Sequence, residues 1–184
     1  MKIIGSFPKT RLRRLRKSKW IRELVSENDV SHKDLILPIF IMEGKNKIEK
    51  IKTMPGVMRY SVDKLPHILK KVKSFKIPMV ALFPNTPNKK KDNLGKEALN
   101  PNNLVCRGIR LIKKKFPEIG IMCDEALDPY TSHGHDGIII KNKIDNDQTN
   151  KILVKQALLQ AKMGCDVIAP SDMMDGRVGI IRKA

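Results

Sequence analysis

Aromatic residues, paired cysteines, long apolar runs and negative charge are scarce in this sequence, and each shortage removes a class of protein. Phe, Trp and Tyr make up only 4% of its 184 residues, which leaves little on which nucleic-acid bases could stack. The three cysteines, Cys106, Cys123 and Cys165, show no Cys-x-x-Cys spacing. That excludes a disulfide scaffold and points to a reducing compartment, the cytoplasm. Each cysteine stands among apolar neighbours and reads as a small buried hydrophobe. No apolar run is long enough to span a bilayer and the start carries no secretory pattern, so no membrane partner is expected. Acidic residues number 19 against 37 Lys and Arg, a formal charge of +18. Such an excess raises the question of nucleic acid. It is mostly lysine, in short clusters at Arg11–Arg16, Lys70–Lys73, Lys89–Lys91 and Lys113–Lys115. No binding module accompanies them, so solvated surface charge is favoured over a specific nucleic-acid face. A basic nucleic-acid-associated α/β protein stays as an alternative.

What is present is an alternation of short apolar runs with helical patterns. Residues 1–33 read as a basic arm followed by a short helix over Trp20–Val25. The arm cannot pack a core alone and should order only against something else. A mitochondrial presequence is the rival reading, but the basic pattern runs without a break into that helix. Residues 34–184 then carry four strand–helix units. Asp34–Ile41, Ile77–Phe83, Ile119–Asp124 and Asp166–Pro170 are apolar runs too short for buried helices, and read as strands covered on both faces, as in a parallel sheet. Pro38 is awkward in a central strand because it removes a ladder donor. Glu43–Tyr60 reads as a loop or small hairpin excursion. Helices are expected from Ser61, as N-cap, to about Phe75, over Asn102–Phe116, over Gln148–Met163 and from near Asp175. The segment between Asp124 and Gln148 reads as a polar loop. Four units of this kind make a parallel α/β fold. A (β/α)8 barrel needs eight units and about 250 residues, so these would be half of one.

The chemistry gathers after the third and fourth strands, at their carboxyl ends, where both barrels and open α/β sheets keep their sites. Asp124, Asp128, His133, His135 and Asp136 arrive within one loop, and Ser171-Asp172 end the fourth strand. Carboxylates on neighbouring strand ends can hydrogen-bond an amine or position a proton, although any one alone is as often a cap or a solvated loop residue. Asp128, Asp136 and His135, with His133, have the chemistry to hold a divalent cation; oxygens suit magnesium, while imidazole also suits zinc. Gly-x-Gly-x-x-Gly and Walker-type loops are missing, so a nucleotide site has no support. A metal-dependent barrel hydrolase using the two histidines is a further alternative.

Asp124-Glu-Ala-Leu-Asp-Pro-Tyr-Thr-Ser-His-Gly-His-Asp-Gly137 closely resembles the metal-loop signature of the porphobilinogen synthase (delta-aminolevulinic acid dehydratase) family. Ala169-Pro-Ser-Asp-Met-Met-Asp-Gly-Arg-Val178 resembles a second hallmark of that family, and the arm, Leu35–Phe40 with Glu43-Gly44, and Met54-Pro-Gly56 fit as well. The resemblance covers nearly the whole chain. It implies a lyase of tetrapyrrole and haem synthesis that condenses two 5-aminolevulinate molecules to porphobilinogen with loss of water. It also implies a TIM barrel, and a homo-oligomer (octamer or hexamer) in which the arm embraces a neighbouring subunit. Zinc-type members place three cysteines where this chain has Ala126, Asp128 and Asp136, so magnesium or a monovalent cation is implied and zinc is the lesser option, kept open by His135. By the same match Asp124, Asp128, Asp136 and Ser171 would be catalytic, with Asp124, Ser171 and Asp172 against substrate.

The family's two Schiff-base lysines lie on later barrel strands, and no lysine here stands at a matching position; Lys162 and Lys183, for instance, fall on expected helices. The substrate-carboxylate arginines and an allosteric magnesium ligand also lie later in the family. The expectation is therefore an N-terminal fragment: an arm plus the first half of a barrel, inactive alone.

Overall fold

A computed structural model describes residues 5–184; the first four residues of the expected arm lie outside the described residues. The chain divides into two units at Ser31/His32. In the first unit a 3-10 turn over Leu12–Arg16 precedes α1 (Lys19–Leu24), and neither buries a side chain. The helix expected over Trp20–Val25 thus forms one residue earlier. Leu12, Trp20 and Leu24 stay exposed, while the Arg11 guanidinium lies 4.9 Å from the centre of the Phe7 ring.

The second unit is built on a sheet of β1 (Ile36–Met42), β2 (Ile48–Lys50), β3 (Met58–Ser61), β4 (Met79–Asn85), β5 (Gly120–Glu125) and β8 (Val167–Pro170), in the order β2-β3-β1-β4-β5-β8. The four expected strands, β1, β4, β5 and β8, run parallel in sequence order. The Glu43–Tyr60 excursion is a hairpin whose returning strand, β3, joins the sheet parallel to β1 at Phe40–Met42 only. Over Ile36–Ile39, β1 therefore has one neighbour, β4, and Pro38 falls in that stretch, where a missing donor is tolerable.

Alternation along the strands sends Ile39, Ile41, Val80, Leu82, Ile121 and Cys123 to one face. There they pack with Leu65, Leu69 and Val72 of α2 (Leu65–Ser74) and with Leu104, Val105, Ile109 and Ile112 of α3 (Leu104–Lys115). Transfer of such side chains from water supplies roughly 1.5–3 kcal/mol each before entropy is charged against it. The opposite face carries Phe40, Phe83, Met122 and Val167, which are only half-buried; the Phe40 and Phe83 rings meet at 5.6 Å. The strands were expected to be covered on both faces. In this unit one face is fully covered.

Local chemistry sets the element ends. Asn103 caps α3 by accepting the Cys106 N–H at 2.8 Å, and Asp145 caps α4 (Asn146–Met163) by accepting that of Gln148 at 2.9 Å. Gly164, at φ 105°, closes α4 in the left-handed region, which an L side chain rarely adopts. Ser61 precedes a 3-10 turn and makes no cap; its hydroxyl exchanges hydrogen bonds with the Lys47 backbone instead. The segment read as polar loop contains a hairpin, β6 (Ile138–Ile140) and β7 (Lys143–Asp145), turning at Lys141-Asn142 with both residues at positive φ. α5 (Arg177–Lys183) follows β8.

Candidate active site

The carboxyl ends of β5 and β8 bring the two sequence motifs together. Asp124 pairs in register with Ala169, and the hydroxyl of Ser171, just past β8, donates to Asp124 Oδ1. Burial pushes the Asp124 carboxyl up, the Asp136 and Asp172 charges add to it, and the Ser171 bond opposes them. Asp128 is raised as well, by loss of water around it and then by the charges of Asp124 and Asp136, while Lys91 counters. Asp124, Asp128 and Asp136 thus repel one another near the strand end, and the raised carboxyls of Asp124 and Asp128 are suited to accepting hydrogen bonds from an amine or holding a proton.

The acidic loop rests on its own small core of Ala98, Leu127, Tyr130, Ile138, Leu153 and Met174. Gly137 is required where the loop enters the hairpin, because a Cβ there would lie 2.5 Å from Ile144 Cγ2. A second loop, between β4 and α3, clamps it: Asp92 N–H donates to Tyr130 O at 3.2 Å and Ser132 N–H to Asp92 O at 3.0 Å, with Ser132 Oγ bonded to Asn93. That clamping loop is held in turn by Lys90, which pairs with Glu43 at 2.8 Å and Glu97 at 3.2 Å, while Arg107 reaches Glu43 at 2.6 Å. Lys89–Lys91, a run of solvated charge by its sequence, thus includes one lysine that holds a loop; its place after a strand end is the signal for it.

The expected cation ligands do not converge. His135 Nδ1 accepts the Gly137 N–H at 2.9 Å and His133 Nδ1 that of His135 at 3.2 Å, so both imidazoles shape the loop. Among the described residues no three His, Cys, Asp or Glu side chains stand together as a metal set. The oxygen donors of Asp124, Asp128 and Asp136 are nonetheless of the type a hard cation takes, and a cation would favour the ionised form of the two raised carboxyls, Asp124 and Asp128.

Asp172 is 2% exposed. Its Oδ1 accepts the Met174 N–H at 2.7 Å and its Oδ2 lies 3.0 Å from Arg177 Nε. Oδ1 is hydrogen-bonded, while Oδ2 meets the guanidinium as an ion pair outside hydrogen-bond geometry, and through these two contacts Asp172 shapes the loop after β8. Glu125, next to Asp124, was missed: it is fully buried, its carboxyl is pushed up to about 9 by burial, and neither oxygen has a hydrogen bond among the described residues. A charged residue closing an apolar run was its only sequence signal.

Comparison with known proteins matches this architecture. The family profile described as delta-aminolevulinic acid dehydratase matches residues 9–184. The chain belongs to that family. A delta-aminolevulinic acid dehydratase from Bradyrhizobium diazoefficiens is 56% identical over 173 residues, covering 94% of this chain and 49% of the relative. One from Chlamydia pneumoniae is 45% identical, over 94% and 52%. A crystal structure of the Toxoplasma gondii dehydratase (porphobilinogen synthase), in complex with the reaction product porphobilinogen, superposes with a TM-score of 0.89 at 40% identity, covering 95% of this chain and 50% of that one. The sheet and helices are therefore half of a dehydratase TIM barrel, and the chain spans about half the length of the curated relatives it matches. The half-buried sheet face is the side that a closed barrel encloses.

Proposed function

We propose that residues 32–184 supply the carboxylate half of a porphobilinogen synthase site, which condenses two 5-aminolevulinate molecules to porphobilinogen with loss of water. The observation that carries this reading is the Asp124–Ser171 pair, which joins both family motifs at neighbouring strand ends. Asp124 receives the substrate amine and holds a proton, its carboxyl kept receptive by burial. Ser171 orients Asp124, and Asp172 with Arg177 fixes the loop that carries Ser171. Asp128 and Asp136 would hold a hard cation, magnesium or a monovalent ion, which when bound supplies positive charge at the acidic group; with Ala126 beside them and no thiolate, zinc is disfavoured.

Schiff-base activation of a ketone needs a lysine amine that is partly neutral, and no lysine of these 184 residues stands at a matching position. The chain alone is therefore inactive, and the second half of a barrel completes it. A cytoplasmic homo-oligomer assembled through the basic arm (residues 1–33) is the matching cellular form. Among the described residues no helix is long and apolar enough to cross a membrane.

The test is a chimera of residues 1–184 with the C-terminal half of the Bradyrhizobium relative, assayed for porphobilinogen by its colour reaction. The chimera should form porphobilinogen, Asp124→Asn should abolish it, and the 184-residue chain alone should form none. A folded chimera without activity overturns the function. Product from the chain alone overturns its dependence on a second half.

A further inference from the structure

Glu125 is the last residue of β5, and the alternating burial of that strand turns it, with Ile121 and Cys123, towards the helix-packed face. Two amides of α4 straddle it. Gln160 Nε2 donates to the carbonyl of Asp124 and Gln156 Nε2 to that of Ala126, each at 3.3 Å. These bonds fix the sense of both amides, because a carbonyl can be met only by the nitrogen end. Gln156 and Gln160 are four residues apart and share a helix face, and they hold the two carbonyls that bracket Glu125 in the chain.

The result is an excess of acceptors. Glu125 Oε1 and Oε2, Gln156 Oε1 and Gln160 Oε1 are all buried, and none has a protein donor among the described residues. The ionisable groups around Glu125 are Cys123 and Asp124 on β5, Cys165 and Asp172 on either side of β8, and Tyr130 from the acidic loop. None is a cation. From α4 the groups that reach β5 here are the two amides. An ionised carboxylate in this setting would be buried and unpaired, with negative groups around it, a strongly unfavourable state.

We infer that Glu125 is a neutral carboxylic acid whose O–H donates to the side-chain oxygen of Gln156 or Gln160, a proton latch that holds α4 on the end of β5 and positions Asp124. The acid serves as the missing donor, and the two amides spend their own donors on the carbonyls flanking it. Glu125 is a positioning residue in this scheme, because it acts on the site through the backbone it shares with Asp124. The same burial that strips water from the carboxyl favours its protonated form. Deprotonation would leave the latch without a donor and release α4 from the strand end.

The experiment is carbon-13 NMR of the whole 184-residue chain labelled at glutamate Cδ, titrated from pH 4 to 10, with Glu125 assigned from the signal lost in Glu125→Gln. A neutral carboxyl at pH 7, titrating with a midpoint near about 9 instead of the ordinary 4.5, is the expected result. The backbone amides of Asp124 and Ser171 should shift with that same midpoint in the wild type and stay still across it in Glu125→Gln, which keeps a donor and cannot ionise. Glu125→Asp, a second titratable variant, should restore a pH-dependent shift at Asp124. A carboxylate signal for Glu125 at pH 7 overturns the inference, whether a water or a bound cation satisfies it. Amides of Asp124 and Ser171 that ignore the Glu125 titration overturn the positioning role.

Discussion

Replacing Asp172 separates a residue that binds substrate from one that builds the loop. Its side chain is shielded from solvent, accepts the Met174 N–H at 2.7 Å and pairs with Arg177 at 3.0 Å, while Arg177 also donates to the Met174 carbonyl at 3.1 Å. Asp172→Ala removes the acceptor and the anion together. Breaking a buried pair by removing one partner costs about 3–5 kcal/mol; the Arg177 side chain is 28% exposed, so partial solvation reduces this to roughly 2–4 kcal/mol. Asp172→Asn keeps an acceptor for Met174 and loses only the charge, which should cost about 1–2 kcal/mol. Urea unfolding of the 184-residue chain, followed by circular dichroism, reads both. With a slope of about 1–3 kcal/mol per molar for a domain of this size, the alanine variant should lower the midpoint by about 1–2 M at unchanged slope. A double-mutant cycle with Arg177→Ala should return a coupling above about 1 kcal/mol. An alanine variant within about 0.5 kcal/mol of the wild type, or a coupling near zero, refutes the structural role and returns Asp172 to the substrate.

Three further outcomes follow from the geometry. Ser171→Ala removes the one bond that lowers the Asp124 carboxyl against burial and the Asp136 and Asp172 charges, so the Asp124 titration should move upward; a downward move in its carbon-13 signal contradicts the pairing. Asn103→Ala loses the cap on Cys106 and two bonds to the carbonyls of Glu97 and Ala98 and should lower stability by about 2 kcal/mol in thermal melts, with Asn103→Asp intermediate because it keeps the cap alone; a neutral alanine variant would contradict the capping role. Burial raises the Glu43 carboxyl, but the bonds from Lys90 and Arg107 outweigh it and hold it below the ordinary range. The linkage sign is then that of a depressed acid: its stabilisation is present above the unfolded value near 4.5 and lost as pH falls through the lower folded one. Glu43→Gln should cost about 1 kcal/mol at neutral pH and flatten stability against pH between about 5 and 3; an unchanged slope there shows that the network carries no weight.

The strand–helix alternation could be read from residues because it depends on local pattern. Short Ile- and Val-rich runs cannot fill a helix, and Leu104, Val105, Ile109 and Ile112 recur at one helix face, so burial follows from period alone. Asp124, Asp128, Asp136 and Ser171 were legible for a similar reason: polar side chains directly after apolar strands must lie at strand ends. The hairpin at Ile138–Asp145 was hidden because its turn places Lys141 and Asn142 at positive φ without a glycine to signal it. Pro38 read as a misfit until pairing showed that the neighbouring strand stops short of it.

What tertiary structure alone decided is how each polar group spends its hydrogen bonds. Sequence determined which carboxylates reach the ends of β5 and β8, and the family those motifs belong to. It could not tell that both oxygens of Asp172 face Met174 and Arg177, that His133 and His135 close their own loop, or that Glu125 ends between two α4 amides. Those outcomes depend on partners 2 to 36 residues away, and a side chain's charge, tautomer and role are set by the partner it meets, which a linear pattern of polarity does not contain.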